Sequence, residues 1–185
     1  MTGWSLPKSA LVNGKRYRIN ADFRDILEII ECLNDREEDE LTRRYVAMSL
    51  FFEDFETIPE SDYVEAFRSM ADFIAAGEED DGRPQPKQID WKQDRNIIAA
   101  EINKVAGVEV RALEFLHWWT FVGYFCCIGD GQLATIVSIR EKLRKGKKLE
   151  TYEREFYTKN RTRVDFKQNL TQSEEDIFAK WTGKK

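Results

Sequence analysis

Residues 110–127 read VRALEFLHWWTFVGYFCC, and apolar side chains would lie nearly all round a helix formed by this stretch. A helix of that kind is typical of the centre of a bundle, where other helices cover it on several sides. Its most apolar part, residues 115–128, is too short to span a bilayer and contains His117. The stretch therefore predicts a buried core helix, and we expect no association with a membrane.

The segment before this helix predicts a β-hairpin followed by three helices. Asn13-Gly14 predicts a hairpin over residues 9–19, because both positions tolerate positive φ. An isolated hairpin is marginally stable, so it must pack on a helix or join another chain's sheet edge. The first helix is expected over residues 22–33, with Asp22 as its N-cap. The second is expected over residues 38–54, with Leu41, Tyr45, Met48 and Phe52 inward. The third is expected over residues 61–77; it carries Val64, Phe67, Ala71 and Ile74 and ends at Gly77.

Residues 78–88, EEDDGRPQPKQ, combine an acidic run with a glycine and two prolines and predict an exposed linker. After the linker we expect helices over residues 90–105, ending at Gly107, and over residues 110–127, 133–143 and 149–160. The predicted fold is mainly α: a compact bundle of about six to seven helices with a short N-terminal β-hairpin. Residues 1–160 would form a single helical domain. Residues 161–185 would be a C-terminal tail, partly helical or flexible, with a helical signal at 173–181.

Charge is unevenly distributed along the chain. Residues 1–90 hold 11 Lys and Arg against 21 Asp and Glu, whereas residues 91–185 hold 18 against 13. The acidic first half disfavours nucleic-acid binding, because phosphate affinity needs clustered cations. The basic excess is concentrated in residues 140–148, REKLRKGKK, which could contact phosphate but is more typical of a solvated helix C-terminus.

The three cysteines do not predict a disulfide framework. Their number is odd, and adjacent cysteines such as Cys126 and Cys127 rarely bridge. Together with Cys32 they predict reduced, buried thiols in a cytosolic protein. Residues 1–15 lack the cationic start and apolar run of a signal peptide, in agreement with that location.

The sequence offers few candidate residues for catalysis or for metal binding. On a single helix, His117 and Cys126 would lie on nearly opposite faces, so they make a poor catalytic pair. We favour a packed histidine with one ring nitrogen satisfied by a neighbour. No glycine-rich phosphate loop is present, and neither a metal ligand set nor an acid–base pair can be assigned. We therefore expect no cofactor, no metal and no enzymatic activity, but a function in binding other proteins.

Trp118 and Trp119 are adjacent, so on a helix their indoles point about 100° apart. Both can lie in the core, which is the simpler interpretation. Alternatively, one of them faces a partner-binding groove, where the large contact area of an aromatic side chain is favourable.

Several short segments, taken in their order along the chain, are similar to those of a known protein family. They are NGKRYRIN at residues 13–20 followed by Asp22-Phe23-Arg24, then residues 73–77 and 90–94 on either side of the linker, and LHWWTF at residues 116–121 followed by Ile139-Arg140. In this order they resemble the bacteriophage gene product 15 family of long-tailed phages and prophages. The likeness covers about residues 11–160 and does not include the tail.

The resemblance implies a tail-assembly chaperone or accessory factor, because the family's gene typically lies between those of the tail tube and the tape-measure protein. Its partners would be the tape-measure protein and a further tail-assembly protein in the host cytoplasm. We predict a groove for an apolar helix of the tape measure, with residues 149–160 as its rim and lined by Trp118, Trp119, Tyr124 and Phe125. The alternatives are a minor structural tail protein of the virion and a nucleic-acid-binding phage regulator. The sequence also permits self-association.

Overall fold

The structure, a computed structural model, describes residues 4–76 and 86–167. Within these ranges it contains seven α-helices and one antiparallel hairpin, which confirms the predicted fold class. The elements are β1 (Ser9–Val12), β2 (Lys15–Arg18), α1 (Phe23–Leu33), α2 (Glu40–Phe51), α3 (Tyr63–Ile74), α4 (Arg95–Ala106), α5 (Trp118–Cys126), α6 (Gln132–Arg144) and α7 (Thr151–Val164). Gly77, most of the predicted linker and the helical signal at 173–181 lie outside the described residues.

The hairpin forms as predicted, with Asn13 at φ 46° and Gly14 at φ 85° in its turn. Strand β1 packs on α3, where Ser69 Oγ donates a hydrogen bond to the carbonyl oxygen of Leu11 at 2.5 Å. A hairpin this short needs to pack on a helix or to join the sheet edge of another chain, and this one packs on a helix of its own chain.

Helix α1 begins and ends where predicted, and the Asp22 carboxylate accepts the Arg24 N–H as its N-cap. The inward face predicted for α2 is partly wrong. Met48 and Phe52 are buried, but Leu41 and Tyr45 are exposed, because the core covers only the second half of this helix. Phe52 lies just after the helix end rather than within it.

The apolar stripe expected on α3 is only partly covered. Phe67 and Ile74 are partly buried against the core, whereas Val64 and Ala71 are exposed. The fully buried side chains are instead Ala66, Met70 and Phe73. Two apolar stripes run side by side on α3. Periodicity cannot choose between them, and packing of Phe73 against other elements decides which stripe is covered.

The single helix expected over residues 110–127 is wrong in its first half. Val110–Ala112 is one 3-10 turn, residues 113–117 are not helical, and α5 begins at Trp118. The cause is a tertiary contact, because Asp22 and His117 form an isolated antiparallel bridge. His117 is therefore the N-cap of α5, and its orientation relative to Cys126 does not follow from helical geometry.

The ends of α4 are set by local hydrogen bonds. The predicted start at residue 90 is wrong, because the Asp90 carboxylate accepts the Gln93 N–H and the Asp90 N–H donates to Asp94, closing a turn before the helix. Gly107 ends α4 in the left-handed conformation at φ 73°, as predicted.

Helix α5 packs against α1 and α4, and α6 packs against α4 and α7. The main core joins the hairpin to α1–α5 and includes Leu133 of α6. A smaller cluster of Ile136, Ile139 and Val164 joins α6 to α7. Helix α7 continues to Val164, beyond the expected end at residue 160, with a kink where Asn160 leaves the helical region. The prediction of buried thiols is wrong for Cys126 and Cys127, which are exposed at the end of α5.

Candidate partner-binding surface

The start of α5 is fixed by backbone pairing with the start of α1. The Trp118 N–H donates to the Ala21 carbonyl oxygen at 2.8 Å, and the Phe23 N–H donates to the Leu116 carbonyl oxygen at 2.9 Å. The Asp22 carboxylate also accepts the Leu116 N–H at 2.9 Å. Burial raises the pKa of Asp22, but hydrogen bonds from the Arg24 side chain and from backbone N–H groups outweigh it and leave the pKa below its usual range.

Both ring nitrogens of His117 are used within the fold. Nδ1 accepts the Trp119 N–H at 3.1 Å as an N-cap, and Nε2 lies 2.9 Å from the Pro7 carbonyl oxygen. Because a carbonyl oxygen only accepts, the imidazole proton belongs on Nε2. His117 therefore joins the N-terminal segment to α5.

The adjacent indoles end helix α3. Trp118 Nε1 donates to the Ile74 carbonyl oxygen at 2.8 Å, and Trp119 Nε1 donates to the Phe73 carbonyl oxygen at 2.9 Å. Carbonyl groups in the last turn of a helix have no partner within the helix, and the Trp118 indole supplies one for Ile74. The Phe73 carbonyl oxygen also accepts the Ala76 N–H at 3.0 Å, so the Trp119 indole is its second donor. The LHWWTF segment thus supplies both the cap of α5 and a cap for α3.

The four side chains predicted to line a groove do not form one exposed lining. Trp118 is 2% exposed and belongs to the core, so its assignment to a binding surface is wrong. Trp119, Tyr124 and Phe125 are partly buried, with Trp119 near Phe73 and Phe125 packed on Trp91 on another side of α5. The rim predicted from residues 149–160 is also not found there, because α7 packs mainly on α6.

Apolar side chains are nevertheless exposed around His117. Phe115, 58% exposed, and the partly buried Trp119 both lie against the imidazole ring, and the exposed Leu6 precedes the Pro7 carbonyl that the ring contacts. Leu6, Phe115 and Trp119 are called the His117 surface below. The sequence did not predict Leu6 or Phe115 as surface residues. Phe115 lies in the stretch that was expected to be a buried helix.

The remaining chemistry of the described residues is limited. No group of three or more His, Cys, Asp or Glu among them could hold a metal ion. No helix within residues 4–76 and 86–167 is both long and apolar enough to cross a bilayer. In the basic run 140–148, Arg140 is paired with Asp94, Lys142 with Glu153 and Lys145 with Glu141. These pairings lower the phosphate affinity expected of the run.

The family model described as Bacteriophage Gp15 protein matches residues 5–166. The chain belongs to the bacteriophage Gp15 family. The match confirms the resemblance and extends it beyond residues 11–160 at both ends. In this Gp15-family chain the matched region ends at Phe166, whose ring centroid lies 4.1 Å from the Arg140 guanidinium carbon. Neither a curated protein nor a solved structure matches the chain.

Proposed function

We propose that this phage protein acts in tail assembly, as a chaperone that binds the tape-measure protein in the cytoplasm of the host. Membership of the Gp15 family supports a phage function. The likeness in sequence implies a gene beside that of the tape measure. A tape-measure protein is a long helical chain whose apolar stripes aggregate unless they are covered.

The observation that carries the proposal is the His117 surface. Leu6 and Phe115 are exposed and Trp119 is partly buried. The backbone that carries them is fixed, because Asp22 accepts the Leu116 N–H and His117 bonds to the Trp119 N–H and the Pro7 carbonyl oxygen. Apolar anchors on a rigid base lose little entropy on binding, which favours their use in recognition. Such a surface suits the apolar face of an amphipathic helix better than it suits a polar substrate.

Co-expression with the tape-measure protein of the same phage tests the proposal. The wild-type chain should keep the tape measure soluble and co-purify with it. Phe115→Asp should abolish both effects, because it places a charge in the apolar contact. Tyr152→Asp is the matched control: Tyr152 is an exposed aromatic residue on α7, and this variant should behave as wild type.

If the tape measure is equally soluble without the chain and nothing co-purifies, the chaperone function is wrong. Mass spectrometry of purified virions provides a second test. A chaperone should be absent from the particles, whereas stoichiometric amounts would make the chain a structural tail protein. Binding to DNA that weakens steeply with salt would support a regulator instead.

A further inference from the structure

A small cavity opens between α1, α4, α5 and the turn before α4. Its volume is about 80 Å³, which is room for one apolar side chain. Most of the described residues that line it are apolar, among them Leu27, Trp91 and Ile98. The two charged residues in the lining are Arg95 and Arg111, and no carboxylate is among them.

The two arginines differ in their partners. Arg111 Nε donates to Glu109 at 2.7 Å, and this pair holds the pKa of Glu109 down to about 2. Within residues 4–76 and 86–167, the exposed guanidinium of Arg95 meets no hydrogen-bond acceptor or carboxylate. The site therefore combines an apolar hole with a cation that no carboxylate of the described residues neutralises. Its chemistry fits an apolar side chain that lies close to a carboxylate.

One part of the chain outside the described residues has this chemistry. Residues 1–3 contain no carboxylate side chain. Residues 77–85 are acidic but contain no large apolar side chain. Residues 168–185 contain Glu174-Glu175-Asp176 followed directly by Ile177-Phe178. This acidic–apolar sequence is complementary to the cavity and to Arg95.

The described chain also ends beside the cavity. The Lys167 N–H donates to Gln93 Oε1 at 2.9 Å, and Gln93 Nε2 donates to the Asp165 carbonyl oxygen at 2.9 Å. Gln93 lies between Trp91 and Arg95 in the sequence, and both of these line the cavity. From Lys167 to Ile177 the chain can span up to roughly 33 Å, which is ample for so near a site.

We propose that residues 174–178 of the same chain dock at this cavity, with Ile177 or Phe178 in the apolar hole and a carboxylate of residues 174–176 against Arg95. Because the segment is tethered, its effective concentration is on the order of mM, and a weak contact is enough to populate the docked state. The proposal is independent of the tail-assembly function, since it concerns a different face of α5 from the His117 surface.

The test uses the full chain with Phe178 replaced by the photoreactive residue p-benzoylphenylalanine. Equal amounts of unlabelled and ¹⁵N-labelled chains are mixed, irradiated and digested, and mass spectrometry locates the cross-links. We expect links within one chain from position 178 to the peptides that contain Leu27 or Trp91. Arg95→Gln should lower their yield roughly two- to fivefold, the effect of one exposed charge pair. Arg68→Gln, at an exposed arginine on α3, should not lower it.

Cross-links to other peptides, or none, overturn the proposal. Links only between labelled and unlabelled chains also overturn it, in favour of a second copy as the occupant. A second measurement is the methyl NMR spectrum of the full chain. Ile177→Asp combined with Phe178→Asp should shift the Leu27 and Ile98 signals and leave those of Ile139, in the separate α6–α7 cluster, unchanged. Unchanged Leu27 and Ile98 signals would contradict docking.

Discussion

Arg140 and Asp94 form a bidentate ion pair that is almost fully buried. The distances are 2.6 Å for Nη1–Oδ2 and 2.9 Å for Nη2–Oδ1, and the two side chains are 4% and 3% exposed. The other guanidinium N–H groups donate to the carbonyl oxygens of Gln88, Arg163 and Val164. All five donors of Arg140 are satisfied, so this one side chain joins α4, α6 and the end of α7.

Removing one partner of this pair should strongly destabilise the fold. Arg140→Met leaves the Asp94 carboxylate buried without its cation, and we expect the free energy of unfolding to fall by about 3–5 kcal/mol. Urea unfolding at pH 7 measures it. Arg68→Ala, which removes the exposed ion pair with Glu65, should cost at most about 1 kcal/mol. Equal effects of the two substitutions would show that burial of the Arg140 pair does not matter.

Stability should depend on the ionisation of Glu153. This side chain is 1% exposed, and the Lys142 ammonium, followed by the Glu150 N–H, holds the pKa of Glu153 below its usual range. A carboxyl group with a lowered pKa stabilises the fold above its unfolded pKa, and this contribution is lost as the pH falls through the folded pKa. Glu153→Gln should therefore lower the urea midpoint at pH 7, and its difference from wild type should shrink below about pH 4.

The control for that pH series is Glu155→Gln, at an exposed position on the same helix. Its urea midpoint should follow that of wild type from pH 7 to pH 3. A Glu153→Gln difference that stays constant over the same range would rule out the proposed linkage.

The two indole donors that cap α3 should contribute unequally to the free energy of unfolding. Trp119→Phe removes the donor to Phe73 where water can reach, and we expect a loss of about 1 kcal/mol. Trp118→Phe removes the donor to Ile74 inside the core and also leaves a cavity, so the loss should be larger, about 2–4 kcal/mol. Urea unfolding and hydrogen exchange in the last turn of α3 measure both. Trp4→Phe, at a side chain that is 99% exposed, should change neither, and an equal effect there would refute the capping role.

Ala76 follows α3 with φ 54°, a conformation that disfavours any residue with a Cβ. Ala76→Gly should relieve this cost and raise the free energy of unfolding by about 0.5 kcal/mol, after allowance for the greater freedom of glycine in the unfolded chain. Ala75→Gly is the matched control, because φ of Ala75 is −66°, and it should lower stability by about 0.5–1 kcal/mol. Changes of the same sign at both positions, measured by thermal unfolding, would contradict the argument.

The candidate surface was only partly predictable from sequence. The LHWWTF segment stands out in the sequence, but no pattern in it indicates that its indoles donate to the last turn of α3 or that Trp118 lies in the core. Phe115 became a surface residue because the chain before α5 is extended. The extended chain is held by the pairing of His117 with Asp22, and no pattern within residues 110–127 encodes that pairing.

The sequence by itself determined the hairpin turn at Asn13-Gly14, the Asp22 cap of α1 and the end of α4 at Gly107. Each depends on the backbone preferences of residues that are neighbours in the chain. Only the tertiary structure decided which stripe of α3 is buried and which carboxylate neutralises Arg140. Both depend on groups far apart in sequence, and the free energy of their packing and pairing outweighs local helix propensity.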